Sequence, residues 1–233
     1  MFSESFGDAA QAKGVRCIGM FATLLLIAGI VAAAPEGGVK HVFPLSPGTT
    51  WTYSGDVRWT VSNTNHVRRA RVGWQTRIVS ARNSGATTAA VVSGFPFDLA
   101  WYEPQQKPGY AVLIENPRGV FVKRVNGKPE AEAFAQRVIA GEERGKQILR
   151  YPVRIGDCVS DDSEPRVGEY CWSVERRIRE ARGVAWEIVH RTGPDHQILH
   201  IVPGVGITSY VYEHYGTVSS ANVRLSKFVL SAK

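Results

Sequence analysis

The sequence predicts a mostly β protein, a curved antiparallel sheet or half-barrel of about ten strands with one covering helix. Three observations carry this prediction. Apolar and polar side chains alternate at period two through most of the chain after residue 40. Turn residues interrupt the alternation at short intervals. Only residues 129–141 carry helical periodicity instead.

The elements follow in order. In "WTYSGDVRWTV" the odd positions Trp51, Tyr53, Val57, Trp59 and Val61 face one way, and Thr52, Ser54, Asp56, Arg58 and Thr60 the other. "RVGWQTRIVSA" repeats the pattern with Val72, Trp74 and Ile78 inward, and "TTAAVVSG" follows the Asn83-Ser84-Gly85 turn. "GYAVLIEN" and "GVFVKRV" flank Asn116-Pro117-Arg118-Gly119, a hairpin turn by composition. In "PEAEAFAQRVIAGEE", Pro129 suits a first helical turn, Glu130 and Glu132 favour the positive end of the dipole, and Gly141 ends the run. Ala131, Phe134, Ala135 and Val138 share its apolar face. "YCWSVERRI", "VAWEIVHRT", "QILHIV", "ITSYVYEHY" and "NVRLSKFVL" then alternate between turns at Gly183, Gly193-Pro194, Pro203-Gly204-Val205-Gly206 and Gly216.

"FPLSPG" before the first strand is echoed by "YPVRIG" at Tyr151 to Gly156. Both combine an extended residue before proline with a turning glycine, which reads as a strand-entry anchor. The echo allows a reading of the single domain as two similar halves, 41–128 and 148–230, joined by the helix over 129–141, but is too short to establish a duplication.

The chain has 233 residues, 21% of them charged, with a formal net charge of +7. Lys13 and Arg16 precede an uncharged run over 17–34 that ends in small residues. This predicts a signal peptide over 1–33 and a single β-rich domain over 34–233, with a membrane anchor over 17–34 as the alternative. Location is then periplasmic or extracellular. The leader carries Glu4 and Asp8 against Lys13 and Arg16, so its removal leaves the net charge unchanged. An exported basic protein meets an anionic membrane surface or envelope polymer rather than nucleic acid. Cys158 and Cys171 bracket "VSDDSEPRVGEY" and predict a disulfide.

Candidate chemistry is sparse. No nucleophile elbow, phosphate-cradling glycine pattern or HExxH-type spacing is present, so neither a reaction nor a cofactor is predicted. His196 and His200 lie four apart on one strand face, and with His190, Glu213 or His214 they make a weak metal set. Asp161, Asp162 and Glu164 read as a solvated acidic loop, and Asp98 and Glu103 as turn caps or a site wall. Arg68, Arg69 and Arg71, with Arg177 and Arg179, suggest a basic rim. Arg177 and Arg179 are expected on the face opposite Trp172, Val174 and Ile178. The inward aromatics Trp51, Tyr53, Trp59, Trp74, Trp172 and Trp186 are either packed core or the lining of a groove for an apolar or lipid-like ligand.

The start Phe43-Pro44-Leu45-x-x-Gly48-x-x-Trp51-x-Tyr53, the midway Tyr151-Pro152-Val153-x-x-Gly156 and the late Pro203-Gly204-Val205-Gly206 turn resemble uncharacterised exported bacterial β-rich proteins. The chain departs from that pattern at Cys158 and in the cysteine loop. The resemblance implies an exported β protein, distantly similar to periplasmic lipid- and lipoprotein-carrier folds, and brings no catalytic residues. The expected function is therefore that of a cell-envelope binding protein for an apolar or lipid-like ligand. An envelope adaptor acting through strand edges, or a hydrolase using His196 and His200, are the other readings.

Overall fold

A computed structural model describes residues 41–61, 64–97, 109–160, 169–215 and 219–231. Alternation at period two becomes twelve antiparallel strands in one nearly closed, barrel-like sheet. They are β1 (Thr50–Thr60), β2 (Val67–Ser84), β3 (Thr87–Ser93), β4 (Tyr110–Asn116), β5 (Gly119–Val125), β6 (Lys146–Arg150), β7 (Cys158–Val159), β8 (Trp172–Glu180), β9 (Gly183–Arg191), β10 (Asp195–Val202), β11 (Gly206–His214) and β12 (Ser219–Val229). Each strand pairs with its sequence neighbour from β1 to β6 and from β7 to β12, and β12 returns to pair with β1. The ring is interrupted between β6 and β7. Two strands exceed the sequence prediction. Five-residue β6 follows the helix after residues 141–145, and β7 has two residues, the first of them in the Cys158–Cys171 disulfide, so neither is long enough to show a period.

The helix α1 (Lys128–Ala140) connects β5 to β6. Gly127 is its extended N-cap, and Gly141, in the left-handed region, donates its backbone N–H to the Val138 carbonyl at 3.0 Å. Its buried residues are Ala131, Phe134, Ala135 and Val138, as the periodicity predicts. They cover Ala89, Val91, Val112, Ile114 and Phe121, the outward-facing residues of β3, β4 and β5. The main core lies on the other side of the sheet. It joins Val57, Ile78, Val92, Leu113, Val122, Ile188, Leu199, Tyr210 and Val223 from strands all round the ring.

One end of the barrel is plugged by the segment before β1. A Cβ on Gly206, which has φ 90°, would stand 2.7 Å from the Phe43 ring, so glycine is required there. Trp51 donates its indole N–H to the Val205 carbonyl, and the Tyr53 hydroxyl donates to the Ile207 carbonyl at 2.9 Å. The start motif is thus docked onto the Pro-Gly-Val-Gly turn. The fully buried Glu115 carboxylate ties in the second motif. It accepts from the Val42 and Phe43 backbone N–H groups at 2.6 and 3.3 Å and from the Tyr151 hydroxyl. Gly156, at φ 90°, turns the chain toward β7, and its N–H bonds the Val174 carbonyl at 2.8 Å. These motifs build the closed end.

Candidate functional site at the loop-bearing end

The two ends of the barrel differ. At the plugged end, β2–β3, β4–β5 and β8–β9 are joined by two residues each, at 85–86, 117–118 and 181–182. Connections 61–66, 94–109, 160–171 and 215–218 all leave from the opposite end. Binding residues concentrate on loops held by a rigid scaffold, so that end is where a site is sought.

The inner face changes character toward it. Residues directly opposite on paired strands share a face. One cross-strand row runs Val72, Gly55, Val223, Tyr210, Leu199, Ile188 and Val174, and is apolar but for one hydroxyl. The next row toward the loops runs Ala70, Val57, Ala221, Tyr212, Gln197, His190 and Trp172. The last runs Arg68, Trp59, Ser219, His214 and Asp195. Core therefore gives way to a polar mouth within two rows. On the other arc, Arg124 lies opposite buried Ala111, and Lys146 lies opposite buried Val122, so both cations take the inner phase at this end.

Side-chain contacts knit the mouth together. Phe97 stacks on Trp172 with ring centroids 5.1 Å apart, and Trp172 lies 4.8 Å from the His190 ring. Tyr210 donates to the Gln197 side-chain oxygen at 3.3 Å, and Tyr212 donates to Asp195 at 2.8 Å. His214 Nδ1 meets the same Asp195 oxygen at 2.7 Å. Burial raises the Asp195 pKa, but the bonds from His214 and Tyr212 outweigh it and leave the carboxyl below its usual range. Burial holds His190 below the usual imidazole range, with Asp195 acting against this and Lys146 with it. Burial likewise pushes the Tyr210 hydroxyl up, and Arg124 acts against it. Lys146 and Arg124 thus act on groups from across the barrel. His190 Nδ1 is buried without a hydrogen-bond partner among the described residues.

The sequence-predicted residues are dispersed. Trp51, Tyr53 and Trp74 are buried within the core, where Trp74 donates to the Gly94 carbonyl at 2.7 Å. Trp59, Trp172 and Trp186 are partly buried against it, the first two toward the mouth. Among the described residues, a cavity of about 10 Å³ at the core aromatics is lined by Phe43, Trp51, Tyr53 and Phe95 among others. That is room for roughly one water.

Arg68 lies in the last inner row, whereas Arg69 and Arg71 lie outside, opposite Arg58 and Asp56. Arg177 and Arg179 are not opposite Trp172, as expected, but on its face. A bulge between Val174 and Arg176 shifts the phase, setting Arg177 against Trp186 and Ile178 against Ala185. The structure does not gather these five arginines into one rim.

His196 and His200 do share the outer face, but His214 lies on the inner one, and no metal-binding group occurs among the described residues. His200 has one ring nitrogen 2.6 Å from Glu180 and the other 3.2 Å from Glu187, which also holds Arg176 at 2.7 and 3.0 Å. Both nitrogens are thus spent within an outer-face ion network. The disulfide between Cys158 and Cys171 is formed, with Cα atoms 5.7 Å apart. Asp98, Glu103, Asp161, Asp162, Glu164 and the leader lie outside the described residues.

Sequence reasoning missed Arg124, Lys146, Gln197 and Asp195 as site residues. The available signal was a charge in the apolar phase at a strand end, as in Val122 to Arg124 and Lys146 to Ile148.

Two solved structures resemble the chain. One, from Bacteroides fragilis NCTC 9343, is classed as an exported protein with a YmcC-like fold. It has 11% identity and a TM-score of 0.39 over 82% of this chain and 100% of that one. The other, from Parabacteroides distasonis ATCC 8503, is classed as a lipoprotein, with 9% identity and a TM-score of 0.39 over 82% of this chain and 99% of that one. No family model and no curated protein matches the chain.

Proposed function

We propose that this chain is an exported binding protein whose ligand meets the barrel at its loop-bearing mouth. The ligand offers an anionic group to Arg124 and Lys146, and an apolar, lipid-like part to Phe97, Trp172 and Trp59. One observation carries the reading: at this end successive inner rows turn from apolar to polar, and exposed cations from β5 and β6 in the inner phase act across the barrel on His190 and Tyr210. A closed, apolar interior with a few convergent polar groups at its mouth suits binding. Export is supported by the basic flank and uncharged run over 13–34 and by the formed disulfide, which persists in oxidising compartments. In this reading the anionic membrane surface or envelope polymer is the source of the ligand.

The test is a fluorescence titration with dansyl-undecanoic acid and its methyl ester. The acid should bind at least about tenfold more tightly, a difference of about 1.4 kcal/mol. Equal affinity, or no binding of either, contradicts the reading.

A further inference from the structure

The last inner row at the mouth places three residue types together. Asp195, His214 and Ser219 lie directly opposite one another on β10, β11 and β12. Opposite residues on antiparallel strands hold their Cβ atoms about 4.5–5.5 Å apart and project to the same side. Asp195 takes the Nδ1 side of the His214 ring at 2.7 Å. This fixes the tautomer with the proton on Nδ1 and leaves Nε2, at the far side of the ring from β10, as the proton acceptor. The far side is the side of β12, where Ser219 starts the strand.

Asp195 is itself held in place. Tyr212 donates to the same oxygen, and the Asp195 backbone N–H bonds the Thr192 hydroxyl at 3.0 Å. The carboxylate is thus a fixed orienting group at the end of a row, not a mobile surface charge. His214, Asp195 and Ser219 are all partly exposed, so the row is open to a ligand. Ser219 and His214 are not hydrogen-bonded to each other in this structure. Rotation about the serine Cα–Cβ bond sets that contact, and such contacts tighten on substrate binding.

We propose that Ser219, His214 and Asp195 form a hydrolytic relay acting on esters that carry an anionic group. The substrate class rests on the reading of the mouth as an anion-binding site. Arg68 ends the same row beyond Trp59 and adds a further cation on that side.

The step balances without a cofactor. The Ser219 Oγ forms a bond to the ester carbonyl carbon while His214 Nε2 takes the hydroxyl proton. The carbonyl–oxygen bond of the leaving alcohol then breaks, and His214 returns the proton to that alcohol. Water attacks the resulting acyl-Ser219, giving its proton to His214. The acid leaves and the serine regains its proton. Ser219 and His214 are the catalytic residues, and Asp195 is a positioning residue.

The test is labelling of the folded, disulfide-intact protein with a rhodamine fluorophosphonate, read by peptide mass spectrometry. Label should appear on Ser219, vanish in Ser219→Ala and fall at least about tenfold in His214→Gln. Ser220→Ala, altered at the outward-facing neighbour, should label like wild type. Asp195→Asn should change the pH profile of labelling and not merely its amplitude. Thermal unfolding of each variant establishes that it is folded. A folded wild type with no label on Ser219, or labelling unchanged in His214→Gln, overturns the relay. Dansyl-undecanoate binding by the wild type reports separately on the mouth. Binding without labelling removes the relay and leaves the mouth reading intact; labelling without binding does the reverse.

Discussion

At the scale of single residues, Glu115 and Arg124 make a contrast. Both are charged residues in the inner phase of a strand. Glu115 sits at the plugged end, 1% exposed, with its oxygens committed to Val42, Phe43 and Tyr151, while His41 Nδ1 lies 3.7 Å away. It is a latch. Glu115→Ala leaves two backbone donors and a hydroxyl without an acceptor. At about 1–3 kcal/mol for each group orphaned in a buried site, a loss of about 3 kcal/mol or more is expected from denaturant unfolding. A loss below about 1 kcal/mol would mean that water satisfies these groups and that the plug is not held by Glu115. Arg124 is exposed and faces the mouth, so its replacement should affect binding and leave stability nearly unchanged.

At the scale of elements, the helix is the clearest case of legible structure. Its limits, caps and buried face were written in the order of Pro129, Phe134, Val138 and Gly141, because period 3.6 and cap chemistry are local properties. Phe134 packs on the outward face of β3 to β5, so Phe134→Ala should cost about 3–5 kcal/mol in guanidinium unfolding. A cost under about 1 kcal/mol would show that the helix does not seal that face.

Strand β8 shows the reverse. A single bulge reverses the phase of every residue after Val174, and nothing between Val174 and Arg177 announces it. The pairing that results puts Arg176 against Glu187. Hydrogen bonds from Arg176 hold the Glu187 carboxyl below its usual range, His200 adds to this, and burial opposes it. A carboxyl depressed on folding contributes stability above its unfolded value, near 4.3, and loses it as the pH falls through the folded value. The difference in thermal midpoint between wild type and Glu187→Gln should therefore be largest near neutral pH and shrink below about pH 4. A difference independent of pH would assign the effect to packing instead.

At the scale of the whole molecule, the sequence carried the inside and outside of most strands but not how the sheet closes. Alternation told that Trp51, Tyr53 and Trp74 point inward, yet inward meant the same for a groove and for a filled barrel. Only the pairing of β12 with β1 decides that these side chains meet residues from the whole ring. The echo before β1 and β7 likewise made sense once the closed end existed, since Phe43 and Tyr151 are far apart in sequence and both bond the Glu115 carboxylate. The mouth was the least legible part. Its residues come from β1, β2, β5, β6 and β8 to β12, and each is an ordinary polar residue near a turn when read alone.

The proposed ligand meets the loop-bearing mouth and not the outer surface. Arg124 and Lys123 are adjacent on β5 and face opposite sides, the first toward Tyr210 and the second over the Phe134 ring at 6.0 Å. Both substitutions to alanine remove one positive charge from the same strand end. The most direct measurement is therefore the dissociation constant of dansyl-undecanoic acid for Arg124→Ala and Lys123→Ala, titrated side by side. Binding is expected to weaken at least about tenfold in Arg124→Ala and to change within about twofold in Lys123→Ala. Equal losses in both, or a larger loss in Lys123→Ala, would contradict it.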